Sequence, residues 1–357
     1  MKKNLLFYIL LNMSIYAEQI QMTQAQKDNW NILVEMPEIS TSYPFGEFIA
    51  HVVTPPTLLH TISLPFEANV KVLNVAKYQK VKRGDVLAEV TGTKWIEVQQ
   101  QAIANAIEYK HHAHLTERKN MLCREDIIPQ KECMAANAEL KADKVRVLAA
   151  KALLKGYGAN SKIIENLFDK LEISNTIPLV SEVNGSVISL TATPGKSTKP
   201  DDALFVIKKE GALWLESNIE AQRVMKLYEG EKVEISLNNQ KFQTTILQIA
   251  PVINPENQTR QVRFLMPEGI RIYAGFIGSA KLILFEDVVK VKKNSVIKEG
   301  LTQIVFVKTK EGFVAVPVTV LSEDENYYYL KKSPRLSHEI ATNSLAILKN
   351  LLGGSDE

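Results

Sequence analysis

Three of the chain's six histidines stand together, at His111, His112 and His114. On a helix, His111 and His114 share a face at a step of three, a spacing that can chelate a cation, while His112 points elsewhere. A zinc site takes about four ligands, of which His111 and His114 supply two. Glu108 and His112 stand four apart, an ordinary surface pair, so a solvated face is the favoured reading of these residues. The two cysteines of the chain, Cys123 and Cys133, lie just beyond. Two antiparallel helices joined by a short turn can bring such positions within disulfide range. A metal pair with the nearby histidines and two buried free thiols are the alternatives. Gly-x-Ser-x-Gly, His-Glu-x-x-His and Walker patterns are absent, so no catalytic residue is assigned.

These groups need helices to position them. Trp95, Val98, Ala102, Ala106, Tyr109 and Ala113 recur at steps of three or four and predict one apolar helix face. Met134, Ala138, Val145, Leu148 and Ala152 predict the corresponding face of a return helix. Cys123 to Gln130, with charges, Ile127, Ile128 and Pro129, reads as the tip between them. A first arm of about 28 residues extends roughly 42 Å. Gly156-Tyr157-Gly158 ends the return helix, and Ser161 to Leu171 predicts a short third helix capped by Ser161.

On either side of this helical segment lie two stretches that read as halves of one β-domain. Phe66 to Val75 and Val81 to Val90 form the first; Pro178 to Leu190 and Pro194 to Ile207 form the second. Both alternate apolar and polar residues in short runs and turn through glycine or proline. A repeat split by an insertion must close on itself, so the insertion leaves and returns at one point and projects as a hairpin. After Ile207 the chain reads as β throughout. Leu213 to Glu220, Gly230 to Leu237, Phe242 to Ile249, Asn254 to Arg263 and Ile272 to Gly278 suggest a small barrel.

A length of 357 residues suits two to four small domains. A net charge of +3 is too weak to suggest nucleic acid. Lys2-Lys3, the apolar run Leu5 to Tyr16 and Ala17 read as a secretory signal over residues 1–17, with an uncleaved anchor as the alternative. The even cysteine count of an exported chain then favours the Cys123–Cys133 bond.

The β-stretches resemble the lipoyl-like motif of periplasmic adaptors, the HlyD-like membrane fusion proteins of efflux systems. Their V-x-x-G-x-x-L pattern stands here as Val81-Lys82-Arg83-Gly84-Asp85-Val86-Leu87, with Lys199-Pro200-Asp201-Asp202-Ala203-Leu204 as a looser second copy. Ala68-Asn69 replaces a usual glycine, and Asn tolerates the left-handed backbone of a turn. Thr259-Arg260 and Gly275 match the adaptor barrel. The resemblance implies a mostly β, elongated, modular chain with an inserted helical hairpin. Its parts would be a membrane-proximal domain (18–65 plus 285–350), a lipoyl-like domain (66–93 plus 176–209), a hairpin (94–175) and a β-barrel (210–284). Phe48 to Val53 and Leu58 to Leu64 are expected in the membrane-proximal domain.

Adaptors that dock on an outer-membrane channel carry an Arg, a Leu four residues later and a Ser seven after that. Arg118 and Leu122 fit, and Pro129 stands where the serine should be. The resemblance implies a non-enzymatic connector in the periplasm, associated with the inner membrane. It implies three partners: a resistance-nodulation-division (RND) pump, an outer-membrane channel of the TolC-like class, and further copies forming a hexameric ring. It leans to the heavy-metal branch, and six histidines without a Met-x-Met cluster favour divalent cadmium, zinc or nickel over soft monovalent ions. No cofactor is required; a transiently held divalent ion would take His51, His60 and Met36, or His111 with His114. A multidrug adaptor is the alternative. A lipoyl or biotinyl carrier would need its modified lysine at the turn joining the halves, and the insertion beside Lys94 removes that turn.

Overall fold

The computed structural model of the chain describes residues 19–353, so the signal segment 1–17 lies outside the described residues. The chain divides into two units, one formed by Thr54–Gly211 and one by the residues up to Val53 with those from Ala212 onward.

In the Thr54–Gly211 unit the two β-stretches interlock. One sheet runs Ser197–Thr198, Ala68–Leu73, Val86–Thr91, Ile177–Val180; the other runs Leu59–Ile62, Phe205–Lys208, Gly185–Leu190, Lys80–Val81. The short middle strand of each half therefore pairs with the first strand of the other half, Val81 opposite Gly185 and Thr198 opposite Ala68. The turns repeat as well. Asp85 accepts a hydrogen bond from the Lys82 amide at 2.7 Å, and Asp202 accepts one from the Lys199 amide at 3.1 Å. Gly84 and Asp201 both hold positive φ, at 94° and 63°. Ala68 and Asn69 are not left-handed; Ala68 is a buried strand residue. Smallness is what this place requires: at its counterpart, Gly185, a side chain would press on the Lys208 carbonyl.

Val86–Thr91 runs directly into the first hairpin helix, Thr93–Arg124, and the return helix Gln130–Gly156 leads back through Ser161–Glu165 to Ile177–Val180. Val90 stands opposite Ile177, so the insertion leaves and returns on adjacent strands. Trp95 anchors its base: the ring is fully buried with Leu87, Leu154, Leu167 and Ile177, and its Nε1 donates to the Ser174 carbonyl at 2.9 Å.

The other unit holds a closed six-stranded barrel, in the order Trp214–Glu220, Thr259–Leu265, Gln240–Ile249, Lys232–Leu237, Ile277–Leu284, Tyr43–Val53. It also holds two further sheets in which strands from near the start of the described chain, Gln19–Gln21, Val34–Glu35 and Glu38–Ser40, pair with strands between Val288 and Ala341. Two strands depart from the expected membrane-proximal placement. Phe48 to Val53 belongs to Tyr43–Val53, which closes the barrel between Trp214–Glu220 and Ile277–Leu284. Leu59–Ile62 pairs with Phe205–Lys208 in the interlocked unit. The cause is edge satisfaction. Five strands from residues 210–284 leave two open edges, whose unpaired amides and carbonyls one added strand covers. No helix among the described residues is long and apolar enough to cross a membrane.

Trp95→Ala is expected to destabilise the Thr54–Gly211 unit by about 3–5 kcal/mol, the usual result of removing a buried aromatic ring. Urea unfolding followed by circular dichroism measures it; an unchanged midpoint would mean that Trp95 does not hold the hairpin base.

Candidate functional site: the helical hairpin

The first helix spans 32 residues, about 48 Å at 1.5 Å per residue. Near its base the seam is apolar and small: Val98, Ala102 and Ala106 are buried, and Leu154 faces them from the return helix within one core. The amide of Gln99, also buried, accepts from the Ser174 backbone at 2.8 Å and donates to its carbonyl at 3.0 Å.

Toward the tip the seam becomes polar. Thr116 donates to the Ala136 carbonyl at 3.2 Å, and Asn120 pairs with Asn137 amide to amide at 2.8 Å. Cys123 and Cys133 are joined by a disulfide, with Cα atoms 6.6 Å apart. The tip turn closes with Asp126 at φ 51° and the Ile127 amide donating back to the Leu122 carbonyl at 2.9 Å. Pro129 precedes the return helix as its N-cap residue. Arg118 and Pro129 are exposed and Leu122 is half-buried, all three on or beside the tip.

The return helix buries a different stripe from the one the sequence suggested. Met134, Val145 and Leu148 are 69%, 64% and 57% exposed, and Ala138 and Ala152 are exposed too. The inward stripe is Cys133, Ala136, Leu140, Asp143, Val147, Ala150 and Leu154, stepping by three and four. Both stripes are apolar enough to pass as a core face. Cysteine and aspartate on the true one hid it.

Asp143 is the residue sequence reasoning missed. It is 1% exposed, and its Oδ2 lies 2.6 Å from His112 Nδ1. Arg146 Nη1 lies 2.9 Å from Asp143 Oδ1 and 3.6 Å from Glu108 Oε2, and Glu139 Oε1 lies 4.0 Å from His112 Nε2. The hydrogen bond to Asp143 raises the His112 pKa above the ordinary imidazole value; burial opposes this, and the charges of Glu139, Asp143 and Glu108 reinforce it. The signal in the sequence was an acidic residue at a step-of-three-and-four position among apolar ones. Its partner, 31 residues away, is fixed only by the register of the two helices.

The other histidines and Met36 are not among this cluster's ligand-bearing side chains. His111 and His114 are exposed on the first helix, and the His111 ring tilts against His112 with centroids 5.6 Å apart. His51 is exposed on Tyr43–Val53, and Met36 is exposed between Val34–Glu35 and Glu38–Ser40. His60, in the Thr54–Gly211 unit that also carries the hairpin, lies 3.6 Å from Glu182. Among the described residues, Glu108, His112 and Asp143 are the group of three His, Cys, Asp or Glu side chains close enough to share an ion.

No family model matches the chain. It is 22% identical over 291 residues to the nickel and cobalt resistance protein CnrB of Cupriavidus metallidurans, covering 78% of this chain and 69% of that protein. Among solved structures it is similar to a MacA–MexA chimeric protein containing the Pseudomonas aeruginosa MexA α-hairpin domain. The TM-score there is 0.57 at 14% identity, over 84% of this chain and 96% of that one. It is also similar to ZneB from Cupriavidus metallidurans, with a TM-score of 0.43 at 15% identity, over 91% and 96% of the two chains. The chain has the fold of the membrane fusion proteins, or periplasmic adaptors, as its β-stretches suggested.

A folded-state pKa above the unfolded value of about 6.5 means that protonated His112 adds stability below that pH and loses it as pH rises through the raised value. The groups facing it are Glu108 and His111 on its own helix and Glu139, Asp143 and Arg146 on the return helix. An NMR titration is expected to place the His112 midpoint above the ordinary value in the native chain and to lower it in Asp143→Asn. Coincident midpoints would remove Asp143 as the cause.

Proposed function

We propose that the chain is the periplasmic adaptor of an RND-type efflux system that exports divalent heavy-metal ions, nickel, cobalt, zinc or cadmium among them. The observation that carries this reading is the likeness to CnrB, a nickel and cobalt resistance protein, across 78% of the chain. The architecture supports it. An adaptor needs β-bodies for the pump side and a projecting element for the channel side, and the split β-domain supplies a hairpin of the right kind.

The tip chemistry suits a helical partner, the outer-membrane channel of the TolC-like class. Arg118 offers a planar fork for carbonyls or carboxylates, and Leu122 offers an apolar knob. The exposed stripe of Met134, Val145 and Leu148 supports self-association, since a second hairpin laid alongside would bury it, as in a hexameric ring. The connector role places the chain in the periplasm against the inner membrane and calls for no resident cofactor and no catalytic residue.

Deleting the gene is expected to sensitise cells to nickel, cobalt, zinc or cadmium more than to dyes, bile salts or antibiotics. The opposite pattern would move the chain to a multidrug system. Arg118→Asp or Leu122→Asp is expected to abolish the resistance while the protein stays folded and exported, at a docking cost of about 2 kcal/mol or more. Unchanged crosslinking of these variants to the outer-membrane channel would place docking on other residues.

A further inference from the structure

Glu108, His112 and Asp143 each present one ligand atom within 4.8 Å of the other two, across the seam between the hairpin helices. Glu139 adds a further carboxylate beside His112. The cation now between the carboxylates is the Arg146 guanidinium, in contact with both Asp143 and Glu108. Arg146 itself is exposed, with 56% of its side chain in solvent. Such a stem can swing its head into water while the helix stays in place. Asp143 cannot follow, because it is buried within the seam.

We propose that Glu108, His112 and Asp143 form a divalent-cation site bridging the two hairpin helices, and that Arg146 occupies its place until an ion displaces it. A dication held between Asp143 and Glu108 would take the place of the Arg146 guanidinium, the positive group that now faces both carboxylates. His112 ligates as the neutral imidazole, so any proton on the ligating nitrogen leaves to solvent, and the guanidinium turns outward. One imidazole with two or three carboxylates suits borderline ions such as zinc, nickel and cobalt. It offers no thioether or thiolate for soft monovalent copper, and its nitrogen is a poor match for calcium or magnesium. Metal–ligand bonds of about 2.0–2.1 Å set ligand atoms about 3.3 Å apart in a tetrahedral shell. Glu108, on the exposed side of the cluster, is free to make that approach.

The proposal is separate from the cargo reading: a deletion strain with normal metal tolerance would remove that reading and leave this site untouched. Calorimetric titration of zinc or nickel chloride into the purified full chain, with its disulfide intact, tests it. The native chain is expected to bind one ion with release of protons, more weakly near pH 6 than at neutral pH. Arg146→Ala is expected to bind at least about tenfold more tightly, and Glu108→Gln and Asp143→Asn at least about tenfold more weakly. Glu108 is exposed, so its variant keeps the test valid if Asp143→Asn fails to fold. Absence of binding in both the native chain and Arg146→Ala, or binding that Glu108→Gln leaves unchanged, overturns the site. Arg146→Ala binding no more tightly than the native chain overturns the displacement.

Discussion

The exchange of middle strands between the two β-stretches is the constraint on which the hairpin depends. Without it, the first stretch keeps Ala68–Leu73 against Val86–Thr91 and the second keeps Gly185–Leu190 against Phe205–Lys208. Each would be a two-stranded ribbon, which is marginal in water. The exchanged strands, Lys80–Val81 and Ser197–Thr198, and the flanking Ile177–Val180 and Leu59–Ile62 bring both sheets to four. Neither half is complete until the other has closed on it. Closure across so long an insertion is tolerable because loop entropy grows only logarithmically, about 0.6 kcal/mol for each doubling of length. The insertion is further stiffened where it starts and ends, since Trp95 and Leu154 share the core of the sheets they leave.

The β-repeat was legible because its turns use local chemistry. Lys82 to Asp85 and Lys199 to Asp202 both fold around an aspartate that accepts from an amide three residues back, and both deliver a buried leucine, Leu87 and Leu204. The destination of Phe48 to Val53 and of Leu59–Ile62 was not legible for the opposite reason. An alternating run records that a strand is half-buried, and says nothing of which open edge receives it. Tyr43–Val53 found its place from two edges contributed more than 150 residues later, at Trp214–Glu220 and Ile277–Leu284.

The hairpin divides in the same way. Its first helix was legible, since Trp95, Val98, Ala102 and Ala106 are both apolar and buried. The return helix carries two apolar stripes on nearly opposite faces, roughly 150° apart at about 100° per residue, and hydropathy alone does not choose between them. The candidate metal residues followed the wrong stripe. With Met134 and Val145 facing inward, Asp143 reads as surface, and His112 loses the partner that gives it a role.

A helix with two usable apolar faces needs something other than hydrophobicity to decide which one turns inward. The upper seam supplies it with pairs that admit one partner each: Cys123 to Cys133, Asn120 to Asn137, Thr116 to the Ala136 carbonyl, and His112 to Asp143. Rotating the return helix to bring the other stripe inward would break all of them at once and turn Asp143 out of the seam, away from His112. Apolar contacts would re-form at little cost after such a rotation, whereas each seam hydrogen bond broken with a buried group left unpaired costs about 1–3 kcal/mol. Polar residues in the seam thus select the register, as a buried asparagine does in a coiled coil. That selection is what keeps Met134, Val145 and Leu148 on the outside of the hairpin.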